Sequence, residues 1–260
     1  MAKINVFVVT HKDKKMQLID GYSLLKVGKK NSLSTDIYRD DIGENIAELN
    51  PFFCEMTAYY WIWKNCISDI VGVVHYRRFL GKQRLWTRSS KKKMANILPV
   101  FDICKDLNEV DMILPKARNF VGETNEEHFF HNHYPEGLKE TRRVLERIYP
   151  DYVEVWDELL KSRKKMHLYN MLICKKEVFD AYCEWVFNIL FEVFERVDYT
   201  NYSPYQSRFV GFIAERLLDT YIQKNSLLYK EYPMMFMENE SVIKRAIGSI
   251  LAKLGVKKIK

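Results

Sequence analysis

Asp69-Ile70-Val71-Gly72-Val73-Val74-His75-Tyr76-Arg77-Arg78-Phe79 is the stretch on which the fold turns. Asp69–Val74 is a continuous β-branched run, the pattern of a strand buried on both faces of a parallel sheet. It stops abruptly at four polar or cationic residues. Ligands bind at the carboxyl ends of strands in open α/β sheets, so one stretch marks both a core strand and a candidate site.

The same pattern appears upstream in Lys3–Thr10 (Lys-Ile-Asn-Val-Phe-Val-Val-Thr), and again downstream in Asp111–Leu114 before Pro115 and in Tyr169–Cys174. Helical spacing fills the intervals. Asn50–Asn65 has Pro51 in its first turn and apolar residues at Phe53, Met56, Ala58, Tyr60, Trp61 and Trp63. Glu136–Ile148 is amphipathic, Lys176–Val197 is long and aromatic-rich, and Ser207–Lys224 carries Phe209, Phe212, Ile213, Leu217 and Leu218 on one side. Strands alternating with helices predict an α/β fold with a mostly parallel central sheet flanked by helices. A chain of 260 residues, 47% of them apolar, suffices for one large core, and neither repeats nor Gly/Ser-rich linkers divide it. One domain is expected over residues 1–240.

The five cysteines (Cys54, Cys66, Cys104, Cys174, Cys183) stand singly in apolar surroundings, as reduced thiols in a reducing compartment do. The apolar run Ile4–Val9 is too short for a signal peptide, and no stretch reaches the ~20 apolar residues of a membrane span. A cytoplasmic location is expected. The formal charge of +7 gathers in Lys82–Lys93, Arg163–Lys165 and the C-terminal tail. Each cluster reads as a solvated loop or as a phosphate or lipid surface. Nucleic-acid binding would need a basic stripe interleaved with exposed aromatics, whereas these aromatics follow core periodicity. Ser241–Lys260 sets Ile243, Ile247, Ile250, Leu251 and Leu254 on one helical face with lysines around it. That is the pattern of a basic amphipathic helix, either lying on an anionic membrane or packed on the core.

Among residues that carry chemistry, His75, Tyr76, Arg77 and Arg78 come first. Guanidinium forks match phosphate oxygens, so two arginines and a histidine at a strand end suit a diphosphate. Consecutive strand residues point to opposite faces, so both reach one ligand only where the chain has turned. The alternative pairs one arginine with Asp41 or Glu55. Asp40–Ile46 offers carboxylates and amides to a ribose or base, although such clusters also simply make turns. Arg208 and Glu215 lie two helical turns apart, which gives Glu215 a place as general base or as an ion-pair partner of Arg216 or Lys224. His128, His131 and His133 lack the spacing of a zinc site and read as loop histidines. Signatures of P-loop, dinucleotide-binding and serine-hydrolase enzymes are missing from the sequence.

Taken in order, Asp40–Asn65, Val71–Phe79, Tyr169–Lys176 and Gly211–Leu217 resemble the bacterial capsular and exopolysaccharide family known as domain of unknown function 4422, over nearly the whole chain up to about residue 235. The resemblance implies a single GT-A-like, Rossmann-type glycosyltransferase domain. It implies transfer of a hexose, galactose or galactofuranose, from a UDP-sugar donor to a glycan or lipid-linked acceptor in surface-polysaccharide synthesis. GT-A enzymes commonly end the corresponding strand in Asp-x-Asp, which holds a divalent ion. Here His75–Arg78 stand instead, so the resemblance implies metal-independent, inverting transfer without a cofactor, with Arg77 and Arg78 on the leaving diphosphate. It further implies Thr10, His11, Asp41, Asn45, His75 and Tyr76 at the nucleotide, Asn170 and Arg208 near the sugar or acceptor, and Glu215 as base. A non-catalytic carbohydrate- or nucleotide-binding protein on the same fold is the alternative. The protein would act in the cytoplasm, peripheral to the inner face of the membrane.

Overall fold

The computed structural model describes residues 2–12, 16–28, 37–85 and 87–238. The expected amphipathic helix Ser241–Lys260 lies outside the described residues. Eleven described strands are β1 (Ile4–Thr10), β2 (Tyr22–Lys26), β3 (Tyr38–Arg39), β4 (Ile70–His75), β5 (Arg78–Leu80), β6 (Met112–Pro115), β7 (Arg118–Asn119), β8 (Lys165–Met166), β9 (Leu172–Lys175), β10 (Tyr229–Tyr232) and β11 (Met234–Phe236). The α-helices are α1 (Asn50–Phe53), α2 (Met56–Asn65), α3 (Ser90–Ala95), α4 (Val100–Asp106), α5 (Asn125–Asn132), α6 (Glu136–Ile148), α7 (Val153–Lys161), α8 (Lys176–Arg196) and α9 (Phe209–Lys224).

The main sheet runs β10-β6-β9-β4-β1-β2-β3. Only β9 opposes the others along this path, pairing antiparallel with both β4 and β6, so the sheet is mostly parallel. Alternation along each strand feeds two cores. Phe7, Val9, Val71, Val73, Leu172 and Cys174 face the helices α2, α8 and α9, whereas Val6, Val8, Ile70, Val74 and Ile173 face the layer that includes α4 and the antiparallel β5–β11 pair. Gly72 lets β1 and β9 close on β4, because a Cβ there would stand 2.8 Å from the Ile173 side chain and 3.1 Å from Val6.

Two expected elements break where the chain turns toward the sheet's carboxyl edge. The helix expected over Asn50–Asn65 is split into α1 and α2 by Cys54, at φ 53°. Gly211 of α9 packs against that kink, with its Cβ position 3.1 Å from Cys54 Cβ and Sγ, so no larger residue fits without a shift. The strand expected from Tyr169 begins only at Leu172, because Tyr169 (φ 80°) and Asn170 (φ 44°) are both left-handed. For a tyrosine this conformation is strained and persists only where surrounding contacts hold it. Just before it, buried His167 bonds Asp219 of α9 through Nδ1 (2.5 Å) and Glu231 of β10 through Nε2 (3.0 Å), tying the segment to both elements. All five cysteines are free thiols.

Candidate active site

At the carboxyl ends of β1 and β4 a cavity of about 710 Å³ opens. One wall is the strand end itself. Tyr76 and Arg77 form a two-residue turn between β4 and β5, and His75 pairs with Arg78 across it. The chain has therefore already reversed, and Arg77 and Arg78 both line the cavity, as do Thr10, His11, His75 and Tyr76. Neither arginine is paired with Asp41 or Glu55. Arg77 has Glu238 at 3.8 Å and lies over the Tyr76 ring, 5.1 Å from its centroid. Arg78 stacks over Tyr169 at 4.6 Å, and its buried Nε has no hydrogen-bond partner in the protein. An uncommitted guanidinium N–H at a cavity wall is a ready donor to an anion.

Facing it are residues brought from α5, the α1–α2 kink, the 168–170 turn and α9. Glu215 accepts a hydrogen bond from the backbone N–H of Tyr169 (2.8 Å) and pairs with Arg216 at 3.3 Å. Burial raises the pKa of Glu215, against the Arg216 charge, and the neighbouring Glu55 raises it further. Its side chain keeps 18% exposure toward the cavity. The second carboxylate lining the cavity, Glu55, accepts a hydrogen bond from Asn170 Nδ2 at 2.8 Å. Tyr169 holds both walls together: its N–H donates to Glu215, its carbonyl accepts from His75 Nε2 (2.6 Å), and its ring supports Arg78. Burial lowers the His75 pKa, outweighing nearby Glu55. The neutral ring donates through Nε2 and so carries its lone pair on Nδ1.

Five arginines and two glutamates line the cavity among the described residues, which makes it a cationic cleft for an anionic ligand. Arg216 is 1% exposed and donates to His128 Nδ1 (3.3 Å), whose pKa burial and the Arg216 charge depress to about 3. Cys54 accepts from Arg208 Nε at 3.1 Å, and burial pushes its thiol up to about 12, so it is no nucleophile at neutral pH.

Comparison with known proteins accords with this layout. A match to the domain of unknown function DUF4422 spans residues 5–226. The chain belongs to the DUF4422 family. No curated protein matches this DUF4422 chain. A solved structure described as the apo form of the bifunctional glycosyltransferase WbbM superposes with a TM-score of 0.80 at 29% identity. The superposition covers 92% of the DUF4422 chain and 46% of WbbM, so the chain spans about half the length of that protein. The fold is accordingly GT-A-like.

Several residues singled out in the DUF4422 sequence stand elsewhere. Asp41 lies outside the cavity lining because both its oxygens are taken by Arg39 (2.8 and 2.6 Å), which holds its pKa below the usual carboxylate range. Asn45 also lies outside, folded back into a turn by bonds to the Gly43 carbonyl and the Ala47 N–H. Asn170 is 2% exposed and sits behind the wall, bonded to Glu55 and the Gly211 carbonyl, so it orients a carboxylate and does not face a ligand. Arg208 and Glu215 do line the cavity together. Sequence reasoning missed Arg118, His128, His133, Tyr169 and Arg216 as lining residues, and gave Glu55 no place among the catalytic or binding residues of the site. Two of the three histidines are helical and not in a loop: α5 carries His128 and His131, His133 caps its end in an extended conformation, and a Thr124–Glu127 capping box stands at its start. Among the described residues no three His, Cys, Asp or Glu side chains cluster as metal ligands, and the strand end presents Arg77 and Arg78 where a divalent ion would take anionic oxygen ligands.

Proposed function

We propose that this chain is a glycosyltransferase that moves a hexose, galactose or galactofuranose, from a UDP-sugar to a glycan or lipid-linked acceptor in surface-polysaccharide synthesis, by an inverting displacement without a metal. The observation that carries the reading is one cavity holding Arg77 and Arg78 across from Glu215, a largely buried carboxylate with a raised pKa. The likeness to WbbM supports glycosyl transfer in general. The choice of hexose follows from the family resemblance.

In the proposed step the acceptor hydroxyl oxygen attacks the anomeric carbon as that carbon's bond to the diphosphate oxygen breaks. The hydroxyl proton passes to Glu215, and the bonding electrons leave with UDP. A raised pKa makes Glu215 a stronger base near neutral pH than an ordinary carboxylate. Arg77 and Arg78 stabilise charge as it develops on the leaving group, the part a metal plays elsewhere. Thr10, His11, His75 and Tyr76 hold the nucleotide side, and Arg208 the sugar or acceptor.

Purified protein given a panel of UDP-sugars should release UDP with and without EDTA. The Arg77→Ala/Arg78→Ala double variant should lose about a thousandfold in kcat/KM. Turnover abolished by EDTA would remove the metal-independent reading. No helix among the described residues is long and apolar enough to cross a membrane. Attachment to the inner face of the membrane would rest on the basic segment 241–260, and its deletion should release the protein from anionic vesicles; retained binding would refute that role.

A further inference from the structure

We propose that the part of the cavity lined by His133, Tyr205 and Phe212 is a sugar-stacking subsite, which receives the ring of the acceptor glycan; this rests on the transferase reading above. All three line the cavity, away from the strand-end arginines in the chain. His133 stacks on Phe212 with centroids 3.9 Å apart and planes 26° from parallel. Tyr205 joins both rings, 5.3 Å from Phe212 and 5.9 Å from His133. Tyr205 remains 51% exposed despite these contacts. Burial and the Arg216 charge depress the His133 pKa to about 4, so its ring is uncharged and offers another flat face.

A wall of adjoining aromatic rings beside hydrogen-bonding groups suits a ligand with an apolar C–H face and a hydroxyl-rich edge, which describes a sugar ring. The order of groups along one helix supports the assignment to the acceptor. Arg208, at the entry to α9, is followed by Phe212 and Glu215 at spacings of four and three, so all three share a helical face. Their order is cation, ring, carboxylate. Phe212 and Glu215 differ in rise by about 4.5 Å, about the span of one hexose ring. A sugar resting on Phe212 thus presents an edge hydroxyl to Glu215, and Arg208, whose guanidinium stands 5.6 Å from the Phe212 centroid, holds the other edge.

Saturation-transfer NMR with methyl pyranosides and furanosides of galactose and glucose tests this, with UDP in the same sample as a separate probe. We expect saturation of ring C–H signals from at least one glycoside with the wild type. That signal should fall about tenfold in affinity in Tyr205→Ala, recover in Tyr205→Trp, and be unchanged in Phe101→Ala, an exposed aromatic remote from the cavity lining. Phe212→Ala, with its fold checked by circular dichroism, should behave like Tyr205→Ala. No glycoside signal, or one insensitive to Tyr205→Ala, overturns the subsite. Loss of uridine signals along with those of the glycoside in Tyr205→Ala also overturns it, by giving the wall to the nucleotide. Uridine signals missing from the wild type would instead remove the donor reading, while the glycoside result stands by itself.

Discussion

The two walls of the cavity are made differently. The strand-end wall is a contiguous run, His75–Arg78, delivered by one tight turn after a buried strand. The opposite wall gathers Glu55, His133, Tyr169, Tyr205, Phe212 and Glu215 from five separate places in the chain. The first positions charge through local backbone geometry, and the second positions a base and rings through packing: α9 against the Cys54 kink, and Tyr169 in a left-handed conformation between His75 and Glu215. A contiguous site tolerates movement of its neighbours. An assembled one depends on every element that holds it.

The largest effect should come from the base. Glu215→Gln should lower kcat by about 10²–10⁴-fold, with little change in donor affinity, while Glu55→Gln should cost less. A larger loss in Glu55→Gln would transfer the role of base to Glu55. The acid limb of the wild-type pH profile should lie above the ordinary 4.5 of a glutamate, because activity falls as Glu215 protonates and its pKa is raised. On the contiguous wall, Arg78→Lys keeps the charge and loses the planar fork over Tyr169, and should cost about tenfold in kcat/KM. An unchanged rate would mean that charge alone matters there.

The smallest effect tests how the assembled wall is held. Burial lowers the His167 pKa, but Asp219 and Glu231 more than offset this and raise it above the ordinary 6.5. The stabilisation from the charged ring is thus complete below pH 6.5 and is lost as pH rises through the folded value. Thermal melts should show the wild type losing stability as pH rises above 6.5 and passes through the raised folded value, and His167→Gln should show a weaker dependence on pH over the same rise. Equal slopes would mean that the cluster contributes nothing through its charge.

What could be read without coordinates followed the same division. The β-branched runs before His75 and His11 marked buried strands, and their polar ends marked a site, because both signals are local and periodic. Helix α8 and the amphipathic α6 were legible for that reason. Cys54, Tyr169 and Asn170 were read into regular elements because Cys and Tyr seldom take positive φ and Asn takes it only in some settings; tertiary contacts hold them there. Asp41 and Asn45 looked like nucleotide ligands in sequence, and a neighbouring arginine and a local turn claimed them.

The sequence by itself determined the α/β class, the core strands and the cationic strand end, since strand periodicity and the charge of adjacent residues are properties of short stretches. It took the packed chain to run β9 against its neighbours, to bring Glu215 into one cavity with Arg77 and Arg78, and to raise its pKa. Burial and long-range proximity belong to the packed chain, and no local pattern of residues encodes them.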